Sequence, residues 1–289
     1  MSKGTFYILG AAVLWGTTGT AQYFAPDNAS SLSVGALRLI VGGAVLLITA
    51  VLSGSFGRGG RWNIRHVAAG ALGVAMYQAA FFTGVRMTGV AIGTVAAIGS
   101  GPVFAGILGL IMLGEKPEKN WYFSTALAVA GCSLLIFTGS GVSVNPAGVL
   151  LSVCAGFSYA LYAVISKLLL VRHEENAVVA VIFFGGAMLI FPVLLFTDIS
   201  WSFTARGALS VVYLGLFTTA LSYILFARGL KTLSVAKTAT LSLFEPFTAS
   251  LLGILLLGER MNTQAFIGMF LLFISVLTLS IRTKSVFNS

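Results

Sequence analysis

Apolar residues do not alternate along this chain; they come in runs about as long as a bilayer is thick. A helix rises ~1.5 Å per residue, so crossing a hydrocarbon core of ~30 Å takes about 20 apolar residues. Ten such runs, separated by Gly, Pro, Asn or charged residues, are predicted as helices. The first five are 5–24, 32–53, 67–84, 88–113 and 120–138. The second five are 147–168, 176–196, 206–226, 233–257 and 263–281. The runs 88–113 and 233–257 are the long ones, and tilt or interruption is expected there. The fold class is therefore an all-α integral membrane protein with ten transmembrane helices.

Composition sharpens this. Of 289 residues, 57% are hydrophobic and 9% charged, with a mean hydropathy of +0.99. That excludes a soluble globular domain and with it most soluble enzymes and nucleic-acid binders. Ten spans leave only short loops and no folded extramembrane domain. The apolar run after Lys3 is not followed by a small-residue cleavage site and is read as the first span. The formal charge of +9 is better read as membrane topology than as affinity for nucleic acid. With the N-terminus in the cytoplasm, that side carries Lys3, Arg58, Arg61, Arg65, Lys116, Lys119, Lys167, Arg172, Arg228, Lys231, Arg282 and Lys284. The other side carries Arg86, Arg206 and Arg260. This bias predicts both termini inside. Cys132 and Cys154 fall within apolar runs, where thiols pack as small residues, and no disulfide is expected.

Two stretches of the chain read alike. Gly84–Ala91 (GVRMTGVA) resembles Gly229–Ala236 (GLKTLSVA), and Pro102–Glu115 (PVFAGILGLIMLGE) matches Pro246–Glu259 (PFTASLLGILLLGE) without a gap. The expected organisation is two five-helix copies, 1–142 and 143–289. Five is odd, so the second copy enters the membrane from the opposite side, as an inverted repeat. Secondary transporters use this arrangement, with substrate bound near the midplane between the halves.

The same residues carry a resemblance. Trp15-Gly16, Arg38, Pro102 and Leu113-Gly114-Glu115 in the first half, with Glu245-Pro246, Leu257-Gly258-Glu259 and Gly268 in the second, resemble the EamA type of the drug/metabolite transporter superfamily. The resemblance covers essentially the whole chain. Within that group the chain looks most like the YddG-type exporters of aromatic amino acids. The resemblance implies export of amino acids across a bacterial inner membrane. The second half has Phe157-Ser158 where the first has Trp15-Gly16, and no second-half arginine matches Arg38.

Glu245 is the sharpest single signal, because a charge inside an apolar span is expensive and normally faces the protein interior or water. Gly101, Ala105 and Gly109 form a small-residue packing stripe, and the aligned residues are Glu245, Ala249 and Gly253. That puts Glu245 on a packing face, with Thr238 and Ser242 on the same stripe. It suits a substrate ammonium, an exchangeable proton, or a protonated side chain bonded to a neighbouring helix. Arg38 suits a substrate carboxylate or an internal ion pair. Trp15, Thr18 and Gln22 share one face of the first span. Tyr159 and Tyr162 share one face of the sixth, and Tyr77-Gln78 align with Ser222-Tyr223. Aromatic walls with a few polar groups make a pocket for a small amphipathic molecule. Tyr7, Trp62, Trp121 and Trp201, near span ends, read instead as interface anchors. Pro102 and Pro246 are expected to interrupt their helices and serve as hinges. Glu115 and Glu259 are expected to bond backbone or the adjacent Lys116 and Arg260.

No HExxH, P-loop or nucleophile elbow occurs, so neither enzyme chemistry nor a metal or cofactor is expected. The sequence reads as a monomeric carrier of amino acids in a lipid bilayer. The alternatives are a carrier of lipophilic cations on the same fold and, less favoured, a membrane-embedded enzyme.

Overall fold

The computed structural model describes residues 1–57, 59–136, 145–258 and 262–280, with the side chains of residues 90 and 91 excepted. The predicted residues Arg58, Glu259, Arg260, Arg282 and Lys284 lie outside the described residues. The described chain is all helical apart from short turns: α1 (Lys3–Tyr23), α2 (Ser31–Leu52), α3 (Ile64–Thr88), α4 (Val90–Leu113), α5 (Lys119–Ile136), α6 (Pro146–Leu170), α7 (Glu175–Ile190), α8 (Ala205–Gly215), α9 (Ser222–Leu230), α10 (Val235–Ser242), α11 (Phe244–Leu257) and α12 (Thr263–Ser280). A six-residue π turn, Leu216–Leu221, joins α8 to α9, and a single residue, Leu243, separates α10 from α11. Counting each joined pair as one rod, ten rods result. Eight are long and apolar enough to cross a membrane. α1 falls short because of Thr17, Thr18, Thr20 and Gln22.

The helix ends follow from the local sequence. Ser2, Ser30, Asn63, Asn145 and Ser234 each accept a backbone N–H in the first turn of the helix they precede, satisfying groups no helix can pair internally. Gly114 and Gly258 end α4 and α11 at φ of 69° and 68°. Each is the glycine of a Leu-Gly-Glu triplet, and the left-handed cap is why glycine stands there.

Contacts between rods define two ends of the bundle. At one end Gly4 of α1 lies against Thr232, Gly59 bridges to His173, and Lys231 meets Glu175 at 3.0 Å. At the other, Arg206 donates to the Phe24 carbonyl at 2.6 Å, Trp201 donates to Ser33 Oγ at 3.0 Å, and Gly148 of α6 lies against Thr88. Helix α1 thus runs from the first end to the second, and α6 begins at the second.

Small residues set the spacing. A Cβ on Gly84 would lie 2.8 Å from the Gly148 carbonyl, and one on Gly229 would lie 2.9 Å from the Gly4 carbonyl. So α3 crosses α6, and α9 crosses α1, with backbones nearly in contact. Gly131 of α5 and Gly268 of α12 make a third such crossing. Lipid is as apolar as a leucine, so close backbone approach and interhelical hydrogen bonds hold such a bundle together.

Two expectations are corrected here. Trp121 and Trp201 are not interface anchors: they are 7% and 1% exposed. Trp121 Nε1 is bonded to the Ala236 carbonyl (3.0 Å) and Thr240 Oγ1 (2.9 Å), because a buried indole needs a partner for its N–H. Pro102 does not interrupt α4, which runs through it. In the second half the rod breaks at Leu243, three residues before Pro246. Pro246 then lies in the first turn of α11, where a missing N–H leaves no intrahelical bond unmade.

The glycine crossings make a direct test possible. Gly84→Leu should destabilise by about 1–3 kcal/mol, the usual range for overpacking, and lower the melting temperature of the detergent-solubilised protein. Gly57→Ala, where a Cβ meets nothing within 4 Å, should leave it unchanged.

Candidate functional site

A cavity of about 330 Å³ lies between the two halves of the chain. Helix α1 contributes Trp15, Thr18 and Gln22 to its wall, α2 Arg38, and α3 Tyr77 and Gln78. From the second half come Tyr159 of α6, Tyr223 of α9, Ser242 of α10 and Glu245 of α11. Ten of the eleven residues singled out in the sequence therefore face one space. The eleventh, Tyr162, borders an adjoining void of about 20 Å³ with Arg38, Thr219 and Tyr223. Pro102 borders the cavity and Pro246 does not.

Glu245 is placed by the break in its rod. It stands in the first turn of α11, near the middle of the 23-residue segment Val235–Leu257. A helix N-terminus presents unpaired N–H groups and a positive dipole end, which suit a carboxylate at that depth. Gly16 lets α1 approach there, since a Cβ on it would lie 2.9 Å from the Glu245 carbonyl oxygen. That is the physical content of the Trp15-Gly16 pair. Next to it, Trp15 is 6% exposed and its Nε1 has no hydrogen-bond partner among the described residues.

The aromatic wall falls into two groups joined behind it by Phe226, 5.5 Å from Trp15 and 6.1 Å from Tyr159. Trp15 and Tyr223 have ring centroids 5.0 Å apart, Tyr77 and Phe81 stack at 5.6 Å, and Tyr77 and Tyr159 lie 6.5 Å apart. The Tyr159 hydroxyl donates to Ser242 Oγ at 3.1 Å, and Ser242 donates on to the Thr238 carbonyl at 3.0 Å. Tyr162 has no such role; its ring packs against Phe183, Tyr223 and Phe226. Sequence reasoning missed Phe81, Phe82, Thr94 and Ser31 on the wall. Nothing distinguishes two phenylalanines in an apolar run from lipid-facing ones. It also missed the π turn, whose Thr219 borders the small void; only a break in helical periodicity could have flagged it.

The two ends of the bundle differ. Gln22 and Ser31 border both this cavity and a hollow of about 640 Å³ at the α1–α2 turn, lined also by Tyr23, Asp27 and Arg206. At the opposite end a charged latch ties three elements together. Glu115, just past α4, accepts the Val235 N–H of α10 at 2.7 Å and lies 3.6 Å from Lys167 Nζ of α6. Lys167 donates to the carbonyls of Leu230 (2.7 Å) and Leu233 (2.6 Å). Glu115 therefore pairs across the bundle with Lys167 and not with the adjacent Lys116, because its carboxylate is drawn to the open N-terminus of α10.

This chain repeats one sequence pattern twice, and that pattern is known. The pattern of the EamA-like transporter family matches residues 2–137 and again 146–281. The chain belongs to the EamA-like transporter family. It is 42% identical over 282 residues to the uncharacterized transporter YwfM of Bacillus subtilis (strain 168), covering 96% of this chain and 95% of that one. It is 24% identical over 292 residues to the uncharacterized inner membrane transporter YicL of Salmonella typhimurium (strain LT2), covering 98% and 96%. A solved crystal structure, 20% identical, superposes with a TM-score of 0.83 over 96% of each chain. The EamA-like fold thus accounts for the whole bundle, and the chain is a multi-pass membrane transporter.

The latch yields a prediction for this EamA-like chain. Glu115→Ala should loosen the packing of α4, α6 and α10 at the Lys167 end. In a chain lacking Cys132 and Cys154, a Ser242→Cys thiol should then react severalfold faster with a membrane-impermeant maleimide applied at the Lys167 end. Unchanged labelling would assign closure to apolar packing alone.

Proposed function

We propose that the protein is a secondary transporter that exports amino acids, aromatic and other neutral ones, across the inner membrane of a bacterium, with both termini cytoplasmic. The observation that carries this is that Arg38 and Glu245, a basic and an acidic residue, both line one aromatic-walled cavity of about 330 Å³. A neutral amino acid is a zwitterion, and it can offer its carboxylate to Arg38 and its ammonium to Glu245. Ligand pockets run from about 300 to 1,000 Å³, so this one suits a small molecule. Trp15, Tyr77, Tyr159 and Tyr223 supply flat apolar faces for a ring, and the Trp15 N–H, unpartnered among the described residues, with Thr18, Gln22 and Ser242 supplies polar contacts. In this reading Tyr162 backs Tyr223 and does not touch cargo.

The mechanism is alternating access around that cavity. Two copies, 1–142 and 143–289, related as an inverted repeat, support it. So do the opposite runs of α1 and α6 and the matched crossings of Gly4 with Gly229 and Gly148 with Gly84. The hollow at Asp27 and Arg206 is the outer mouth, and the Glu115–Lys167 latch holds the cytoplasmic side shut. The break at Leu243, with Pro246 beyond it, is where the rod bends as the latch opens. The carrier works as a monomer, its internal two-fold replacing a second subunit.

Proteoliposome flux tests this. Labelled tryptophan and phenylalanine should move with saturation, and Glu245→Gln should reduce their flux about tenfold or more, the loss of one charge-assisted hydrogen bond. Flux of a lipophilic cation dye without amino-acid flux would replace the cargo assignment. Full Glu245→Gln activity with unchanged pH dependence would remove that residue from the mechanism.

A further inference from the structure

Arg38 is half-buried, borders the cavity, and lies within 4.0 Å of no carboxylate among the described residues. Its guanidinium donates from Nη2 to Gln78 Oε1 at 3.4 Å. Gln78 is 3% exposed, and its Nε2 donates to the Gly35 carbonyl at 2.8 Å. The orientation of this amide is forced. Arg38 offers only donors and the Gly35 carbonyl only accepts, so the amide must turn its oxygen to the one and its nitrogen to the other. The partners are held by helix geometry. Gly35 and Arg38 are three residues apart on α2, and Gln78 and Phe82 four apart on α3, so each pair shares a face. The Phe82 ring occupies the place a Cβ would take at Gly35. Glycine there lets α3 close on α2 so that Gln78 reaches both.

We infer that Gln78 is a positioning residue that sets the charge preference of the cavity: it anchors Arg38 through a neutral acceptor and so keeps the guanidinium available for a cargo carboxylate. The inference rests on the amino-acid reading above. A glutamate at this place would pair with Arg38 and neutralise it inside the wall, and it would set a carboxylate oxygen against the Gly35 carbonyl. An apolar side chain would leave Arg38 untethered and its donors unspent.

Tryptophan and tryptamine test the role, since they share ring and ammonium and differ in the carboxylate. In proteoliposomes the native chain should carry tryptophan and discriminate against tryptamine. Gln78→Glu should cut that ratio about tenfold or more, the worth of one charge-assisted hydrogen bond. The change should fall mainly in the tryptophan KM. Gln78→Met, similar in length and without a strong acceptor, should cut the ratio less, at a melting temperature near native. A ratio unchanged in both variants, with both substrates slowed alike, overturns the positioning role and leaves amino-acid transport standing. A native chain that carries both compounds equally overturns the carboxylate anchor. A native chain that carries neither overturns the amino-acid reading, and this inference with it.

Discussion

Glu245 and Arg38 stand in helices that cross an apolar slab, where neither charge has a solvent of its own. Much of the architecture answers to that. The charges need a polar hollow, the hollow needs walls that exclude lipid, and walls need helices that meet without gaps. Glycine supplies the contact. Gly16 brings α1 onto the backbone of Glu245, Gly35 brings α3 onto α2 beside Arg38, and Gly84 and Gly229 bring the halves together toward the two ends. A side chain at any of these would hold two rods apart just where the cavity must be sealed. The small residues and the charges are one design seen from two sides.

The rods were legible because hydrophobic length is a strong signal and the bilayer fixes the length. Over the described residues all ten predicted runs coincide with helical rods, with ends displaced by at most four residues, except that the run 176–196 passes from α7 into a 3-10 helix, Phe191–Phe196. Most of the wall was legible for a related reason. Strongly polar side chains such as Gln22, Arg38, Gln78 and Glu245 are scarce in these runs and had few places to go but inward. What was not legible involves partners distant in sequence. Trp121 reads as an interface residue until Thr240 is found beside it. Glu115 bonds backbone as expected, but its cation is Lys167 of α6 and not the neighbouring Lys116. Tyr162 shares a stripe with Tyr159, yet one turn of helix carries it behind Tyr223 and into packing. The task of Gln78 depends on which carbonyl takes its nitrogen, and no spacing in the sequence encodes that.

The helix break shows how a local rule can be overruled by what the position must hold. Pro102 and Pro246 occupy matching places in the repeated segment, and proline removes the same backbone bond from each. One rod stays continuous and the other parts at Leu243. The residue before each proline differs: Gly101 in the first half, Glu245 in the second. At Gly101 the helix is pressed flat against its neighbours. A Cβ there would lie 3.3 Å from Tyr159 Cδ1, and Gly156 of α6 sits against the Ala97 carbonyl. That contact favours an unbroken rod. At Glu245 the rod parts, and the dipole end of α11 that favours a carboxylate lies at mid-depth. Proline permits the break in both halves. The half that carries an acid before its proline is the half whose rod parts.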